Sequence, residues 1–227
     1  MPINICGVIM VEAVIFDMDG VMIDSEREHF KAEQELFKEL GIDIKALEYD
    51  RFVGLSSRLM WLELKESFSL PYSVEDLMAK AAAKLLTHFK EVDLIPMPGL
   101  IDLLDYINER SMGIAVASSS PKSLIDLVVD RLEIRDYFDC LVSGDEVAKG
   151  KPFPDVFLHT AALLRVSPEN CVVFEDSANG VRAGKAANMR CIGYQNPSSG
   201  NQELSGCDLV VKSFLGDNLE TIQETLW

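Results

Sequence analysis

The sequence predicts an α/β fold: a doubly wound parallel sheet that carries an inserted block of helices. Three observations point there. From residue 96 onward, short apolar runs alternate with helical patterns, as consecutive β-α units do. A strand-like run, Ala13-Val-Ile-Phe16, stands alone near the start of the chain. Between Ser25 and Val92 no segment reads as a strand, while several stretches carry helical periodicity.

Taken in order, the first run is apolar, β-branched and aromatic, and Asp17-Met-Asp19-Gly20 ends it, with the glycine supplying a tight turn. Ser25 then stands as the N-cap of a helix with acids in its first turn. The apolar positions Phe30, Phe37 and Leu40 recur along that helix at helical spacing, and Gly41 ends it. The ranges 58–68 and 73–89 also read as helices. Ser73-x-x-Asp76 has capping-box spacing, with Asp where Glu or Gln is usual. Downstream, the pattern gives helix 100–110, strand 113–117, helix 121–132, strand 140–143, helix 155–164, strand 171–174, helix 180–187, strand 191–193, strand 209–211 and helix 215–226. The first strand must join this sheet across the helical insert. The expected organisation is a Rossmann-like core domain made of residues 1–24 and 93–227, with a helical domain over 25–92. No internal repeat or low-complexity tract interrupts it.

Composition narrows the function classes. The 227 residues, 48% hydrophobic and 26% charged, are those of a soluble globular protein. A net charge of −16 speaks against nucleic acid and against anionic membrane surfaces, both of which demand basic patches. No stretch has transmembrane length. The first ten residues are apolar but lack the basic start and cleavage signature of a signal peptide, and Met10 is an alternative start, so the place of residues 1–9 in the fold stays open. The five cysteines, Cys6, Cys140, Cys171, Cys191 and Cys207, form no Cys-x-x-Cys pair; they read as reduced thiols of a cytoplasmic protein, which is expected to be a monomer.

In a parallel sheet the carboxyl ends of all strands share one edge, where ligands bind. Four predicted strands end in polar chemistry. The first ends in Asp17 and Asp19, the second in Ser118-Ser119-Ser120. The third is followed by Lys149-Gly-Lys151-Pro152, and the fourth ends in Glu175-Asp176-Ser177. Two carboxylates ending a buried strand need something positive between them. Acids, hydroxyls and a lysine at one edge suit a hard cation facing a phosphate-like anion. Each residue also has a plainer reading. Asp17 and Asp19 would be solvated turn acids, Ser118 a loop serine with Ser120 capping the next helix, Lys149 or Lys151 a solvated loop charge, and Asp176 a helix N-cap.

Asp17-x-Asp19-Gly20, Ser118, Lys151-Pro152 and Glu175-Asp176-Ser177 resemble, in order and context, the four motifs of the haloacid dehalogenase superfamily of phosphotransferases. The closest look is to its β-phosphoglucomutase-like and sugar-phosphatase branch, and it covers nearly the whole chain from about Glu12. The resemblance implies Asp17 as the nucleophile that forms an aspartyl-phosphate, and Asp19 as general acid and then base. It implies Mg²⁺ as cofactor, held by Asp17, the backbone carbonyl of Asp19 and Asp176, with Glu175 in the outer shell. Ser118 and its neighbour Ser119 would bind the phosphoryl group, Lys151 would bridge Asp17 and the phosphate, residues 20–24 would form a flap, and residues 25–92 a cap.

In the cap, Ser25 and His29 are candidates for facing the cleft, His29 because the mutase branch carries a histidine at this place; the alternative is a surface histidine. Arg58 stands near where mutase-like members carry an arginine for a distal phosphate, but one residue later than their spacing. Lys84 is compatible with reaching substrate, though Lys80 and Lys90 are equally visible. The leading expectation is a Mg²⁺-dependent phosphatase acting on a small phosphorylated metabolite such as a sugar phosphate. A phosphosugar mutase shares every core residue, and a catalytically idle binding protein on the same fold is the third reading. Dehalogenation would leave Asp19 and the Glu175-Asp176 pair without a use.

Overall fold

The computed structural model describes residues 10–43 and 57–226. The expectations for residues 1–9, including Cys6, and for the loop immediately before Ser57 lie outside these. Six strands form one sheet: β1 (Ala13–Phe16), β2 (Gly113–Ser118), β3 (Cys140–Ser143), β4 (Cys171–Glu175), β5 (Arg190–Tyr194) and β6 (Leu209–Val211). Every pairing is parallel and the order is β3-β2-β1-β4-β5-β6. β1 therefore lies inside the sheet despite coming from the far end of the sequence. Where the connections diverge, between β1 and its neighbours, a doubly wound sheet offers its binding crevice.

Both faces of the sheet are apolar, as a buried parallel sheet requires. Along β1 the side chains alternate: Val14 and Phe16 join one core cluster, Ala13 and Ile15 the other. On the first face Phe16 stacks on Phe174 of β4 with ring centroids 4.9 Å apart, and α4 (Leu100–Glu109), α5 (Lys122–Arg131) and α8 (Asp217–Thr225) cover them. On the second, α6 (Asp155–Leu164) and α7 (Ala178–Ala186) pack against Ile15, Ala117 and Val173. Each such side chain, fully buried, contributes about 1.5–3 kcal/mol.

Residues 26–91 supply α1 (Glu26–Glu39), α2 (Ser57–Phe68) and α3 (Val74–Glu91). Their own core is Leu36, Phe37, Trp61, Leu64 and Leu77. The capping box at Ser73 is formed: its hydroxyl accepts from Asp76 N at 3.0 Å and Asp76 Oδ2 accepts from Ser73 N at 3.3 Å. Ala32, Leu85 and Phe89 belong instead to the main core, and Arg131 Nη1 donates to Phe89 O and Val92 O, both at 2.7 Å, tying the end of α3 to α5. Among the described residues no helix is long and apolar enough to cross a membrane.

Three local expectations need correction. Ser25 occupies the N-cap of α1 but makes no capping bond, because its hydroxyl is turned to Asp19. Ser120 does not cap the next helix, which starts after Pro121, because its hydroxyl too goes to Asp19. The helix expected from 180 begins at Ala178, with Ser177 as the N-cap in place of Asp176.

The indole Nε1 of fully buried Trp61 finds no hydrogen-bond partner among the described residues, a donor that costs about 1–3 kcal/mol to leave unmet. Trp61→Phe removes that donor as well as volume, so urea unfolding should show a change within about 1.5 kcal/mol. Trp61→Ala leaves a cavity and should cost about 3–5 kcal/mol. Equal losses in the two variants would contradict this account.

Candidate active site

The register Phe16↔Val116 and Phe16↔Phe174 puts Asp17 level with Ala117 and Glu175. Alternation sends the Asp17 and Glu175 side chains to the face of Ile15 and Val173. The loop between β3 and α6 returns Lys151 to this point. Its buried Nζ donates to Asp17 Oδ1 at 2.5 Å, Glu175 Oε1 at 2.7 Å and Ala117 O at 3.1 Å, three strands meeting on one ammonium. Burial pulls the Lys151 pKa down; the charges and hydrogen bonds of Asp17 and Glu175 outweigh it and hold the pKa above the ordinary lysine value. Lys149, the competing lysine, is exposed and lies over the Phe153 ring.

Asp19 has a different set of partners. β1 has ended by then, and the turn closed by Gly20 N to Ile23 O at 2.9 Å carries its carboxylate away from Asp17's neighbours. Oδ1 accepts from Ser25 Oγ at 2.6 Å and lies 2.7 Å from His29 Nε2; Oδ2 accepts from Ser120 Oγ at 2.6 Å and Ser118 Oγ at 3.3 Å. Burial would raise its pKa, but the His29 charge and these hydrogen bonds prevail and hold it well below the usual carboxylate range. His29 responds in kind: burial opposes its charge, yet Asp19 pushes its pKa up to about 9. The histidine therefore faces the site, packed against Phe89, and is not a surface residue.

Asp17, Glu175 and Asp176 are all buried, with oxygens within 4.8 Å of one another. Glu175 Oε2 is further held by Ser177 N at 2.9 Å and Ser177 Oγ at 3.0 Å, and Ser199 donates its hydroxyl to Asp176 Oδ2. Two glycines make room. A Cβ on Gly20, whose φ is +77°, would lie 1.9 Å from Asp176 Oδ2, and one on Gly180 would lie 1.6 Å from Glu175 Oε1. Three ionised carboxylates against one ammonium would leave two negative charges in a site without water's screening. The consequence is visible: burial, with Glu175 and Asp19 nearby, pushes Asp17 up to about 8, and burial with Glu175 and Asp17 raises Asp176 well above its ordinary value. An all-oxygen donor set short of two positive charges fits a hard divalent cation. The Asp19 carboxylate is not part of this cluster.

A cleft opens over these groups. Ser119 lines it from the core, and His29, Met60 and Leu85 line it from the helical insert. Arg58 and Lys84 do not. Arg58 is exposed and pairs with Glu75 at 2.6 Å, and Lys84 lies between α1 and α3, paired with Glu39 at 2.7 Å and Glu35 at 3.6 Å. Sequence reasoning missed the role of Ser120, Ser199 and Gln202 in the site. The only signal for the last two was an Asn-Pro-Ser-Ser-Gly turn after a strand, which marks a loop and not its target.

The family model of the haloacid dehalogenase-like hydrolases matches residues 14–194, which include every motif residue above. The chain belongs to this family. A phosphorylated carbohydrates phosphatase of Thermotoga maritima is 34% identical over 182 residues, 80% of this chain and 84% of that one. A β-phosphoglucomutase of Bacillus subtilis is 34% identical over 224 residues, 94% and 95% of the two chains. The crystal structure of a β-phosphoglucomutase from Clostridium difficile superposes with a TM-score of 0.81 at 30% identity, covering 96% of this chain and 97% of that one. The chain is thus an enzyme of the phosphatase and phosphosugar-mutase type, a phosphoric monoester hydrolase or mutase.

The raised pKa of Asp17 sets a pH signature. Its folded value, about 8, exceeds its ordinary 3.8, so the folded state keeps a proton the unfolded state has lost. The associated stability is present at low pH and disappears as pH rises through 8. A cation on the cluster takes the proton's place. The increase in Tm produced by millimolar Mg²⁺ should therefore be larger at about pH 9 than at about pH 6. An increment independent of pH would refute the coupling.

Proposed function

We propose that this protein is a Mg²⁺-dependent phosphatase of a small phosphorylated metabolite, a sugar phosphate, working through an aspartyl-phosphate on Asp17. The observation that carries this is the divergence of two acids in one turn: Asp17 sits against Lys151 and the acid cluster, and Asp19 within a ring of proton donors. Held by Asp17, Asp176 and the backbone carbonyl of Asp19, with Glu175 behind, Mg²⁺ when bound neutralises phosphoryl oxygens. Lys151 adds a fixed charge beside the nucleophile, and the hydroxyls of Ser118 and Ser119 bind the phosphoryl group.

In the first half-reaction a carboxylate oxygen of Asp17 bonds to phosphorus, the ester P–O bond breaks, and the leaving alkoxide takes, through Asp19, the proton that rests on His29. In the second, Asp19 takes a proton from water as that water bonds to phosphorus, the aspartyl P–O bond breaks, and phosphate leaves with Asp17 restored. The proton for the first half is stored locally. With Asp19 held low and His29 up at about 9, the pair carries one proton at neutral pH across a 2.7 Å contact. Residues 25–92 act as a cap domain that closes over a small ligand and excludes bulk water. The similarity to a phosphatase of phosphorylated carbohydrates supports the substrate class. We place the enzyme in the cytoplasm as a monomer; the four described cysteines, all free, are in keeping with a reducing compartment.

Phosphate release from a panel of sugar phosphates should require Mg²⁺, vanish with chelator and fall by about 10³-fold or more in Asp17→Asn. Unchanged turnover in that variant would sink the mechanism. The likeness to β-phosphoglucomutases along almost the full chain sustains a second reading, transfer of the phosphoryl group to a sugar. Phosphorus NMR on β-glucose 1-phosphate with a bisphosphate primer separates the two. Free phosphate is the expected product, and glucose 6-phosphate without it would establish the mutase.

A further inference from the structure

The turn after β5 carries none of the four motifs, yet it touches three parts of the site. Ser199, buried, donates to Asp176 Oδ2. Asn196, also buried, donates from Nδ2 to Gly20 O at 3.3 Å, and Ser198 Oγ donates to Asp24 Oδ2 at 2.8 Å, so both hold the segment that leads from the nucleophile into α1. Gln202 accepts from Ala178 N at 3.1 Å and donates to Ser199 O at 3.0 Å, anchoring the turn on the first turn of α7. The turn is also braced internally: Asn196 Oδ1 accepts from Ser198 N at 2.9 Å, and Ser199 N donates to Asn196 O at 3.2 Å.

Such a density of specified bonds fixes where the Ser199 hydroxyl stands. That hydroxyl has one proton and gives it to one oxygen of Asp176, which removes the carboxylate's freedom to rotate out of the acid cluster. Gly20 completes the arrangement, since a Cβ there would lie 1.9 Å from Asp176 Oδ2 and 3.0 Å from Ser199 Oγ. The backbone of the nucleophile turn thus packs directly over this hydrogen bond.

We propose that Ser199 is a positioning residue for cation binding. Through Asp176 it presets the donor geometry of the Asp17, Glu175 and Asp176 cluster. The inference rests on the metal reading above. Partners of this kind, one bond removed from the ligand atom, govern metal affinity by about 10–100-fold.

Isothermal titration of metal-stripped protein with Mg²⁺ alone tests it. Ser199→Ala should weaken Mg²⁺ by about 10–100-fold, Ser199→Thr should restore it, and Ser198→Ala, which breaks only the link to Asp24, should bind as wild type does. In turnover, Ser199→Ala should raise the Mg²⁺ concentration needed for half-maximal rate, with kcat recovering at saturation. A Ser199→Ala protein that binds Mg²⁺ as tightly as wild type overturns the inference and leaves the proposed function standing, as does equal weakening in Ser198→Ala. A wild type that binds no divalent cation overturns both. Should Ser199→Ala fail to fold, Ser199→Cys, which keeps the volume and loses the strong donor, asks the same question.

Discussion

The Lys151 ammonium, buried between Asp17 and Glu175, is the interaction on which the rest of the site depends. Each partner is a charge that the interior would reject alone, and breaking a buried pair by removing one member costs about 3–5 kcal/mol because the other remains. The constraint reaches far along the chain. Asp17 must end β1, Glu175 must end β4 in matching register, Ala117 must present a carbonyl at the same level, and the loop between β3 and α6 must deliver Lys151 to all three. Strand order, register and face are therefore jointly specified by one charge balance. With Asp17, Glu175 and Asp176 all ionised that balance would be two positive charges short; the cluster lies beside the N-terminus of α7, where the helix dipole favours anions.

Two acids separated by one residue would point the same way had the strand continued. The strand stops at Phe16, and in the turn that follows the Asp19 carboxylate lies among Ser25, His29 and Ser120 and not beside Asp17's partners. The result is two carboxylates pushed in opposite directions, Asp17 up by burial among acids and Asp19, against burial, down by His29 and the hydroxyls of Ser120 and Ser25. Environments that drive paired titratable groups apart let one fold give two carboxylates different chemistry, the division proposed for Asp17 and Asp19. Here the separation coincides with the end of β1 and the turn over residues 18–23.

This reading explains why so much was legible in sequence. Strand ends in a parallel sheet converge, so Asp17, Ser118, Lys151 and Glu175 could be assembled from order alone, and the alternation of elements dictated the sheet. Hydroxyl direction was not legible. Ser25 and Ser120 sit where caps belong, and nothing local reveals that Asp19 claims their protons instead. Ser199 lies 23 residues from Asp176, in a turn whose composition specifies bending and not destination. The partners of Arg58 and Lys84 were hidden for a related reason. A long cation's partner depends on how α1, α2 and α3 pack, and in this structure their carboxylates are on neighbouring helices.

The cleft's charge bears on where the phosphoryl group goes. A mutase working through a bisphosphate must hold two phosphates at once, and the second needs a cation of its own. Among the described residues that line the cleft, the cations are Lys151 and His29, the first committed to Asp17 and Glu175 and the second to Asp19. Glu26 and Glu33 add negative charge from α1, while Met60 and Leu85 give an apolar roof. Arg58, the residue nearest the mutase pattern, spends its guanidinium on Glu75 at the surface. Both cations of the described cleft already have carboxylate partners, and the adjoining pocket, which shares Ser57 and Ser119 with it, brings Arg58 and Lys149 to its edge.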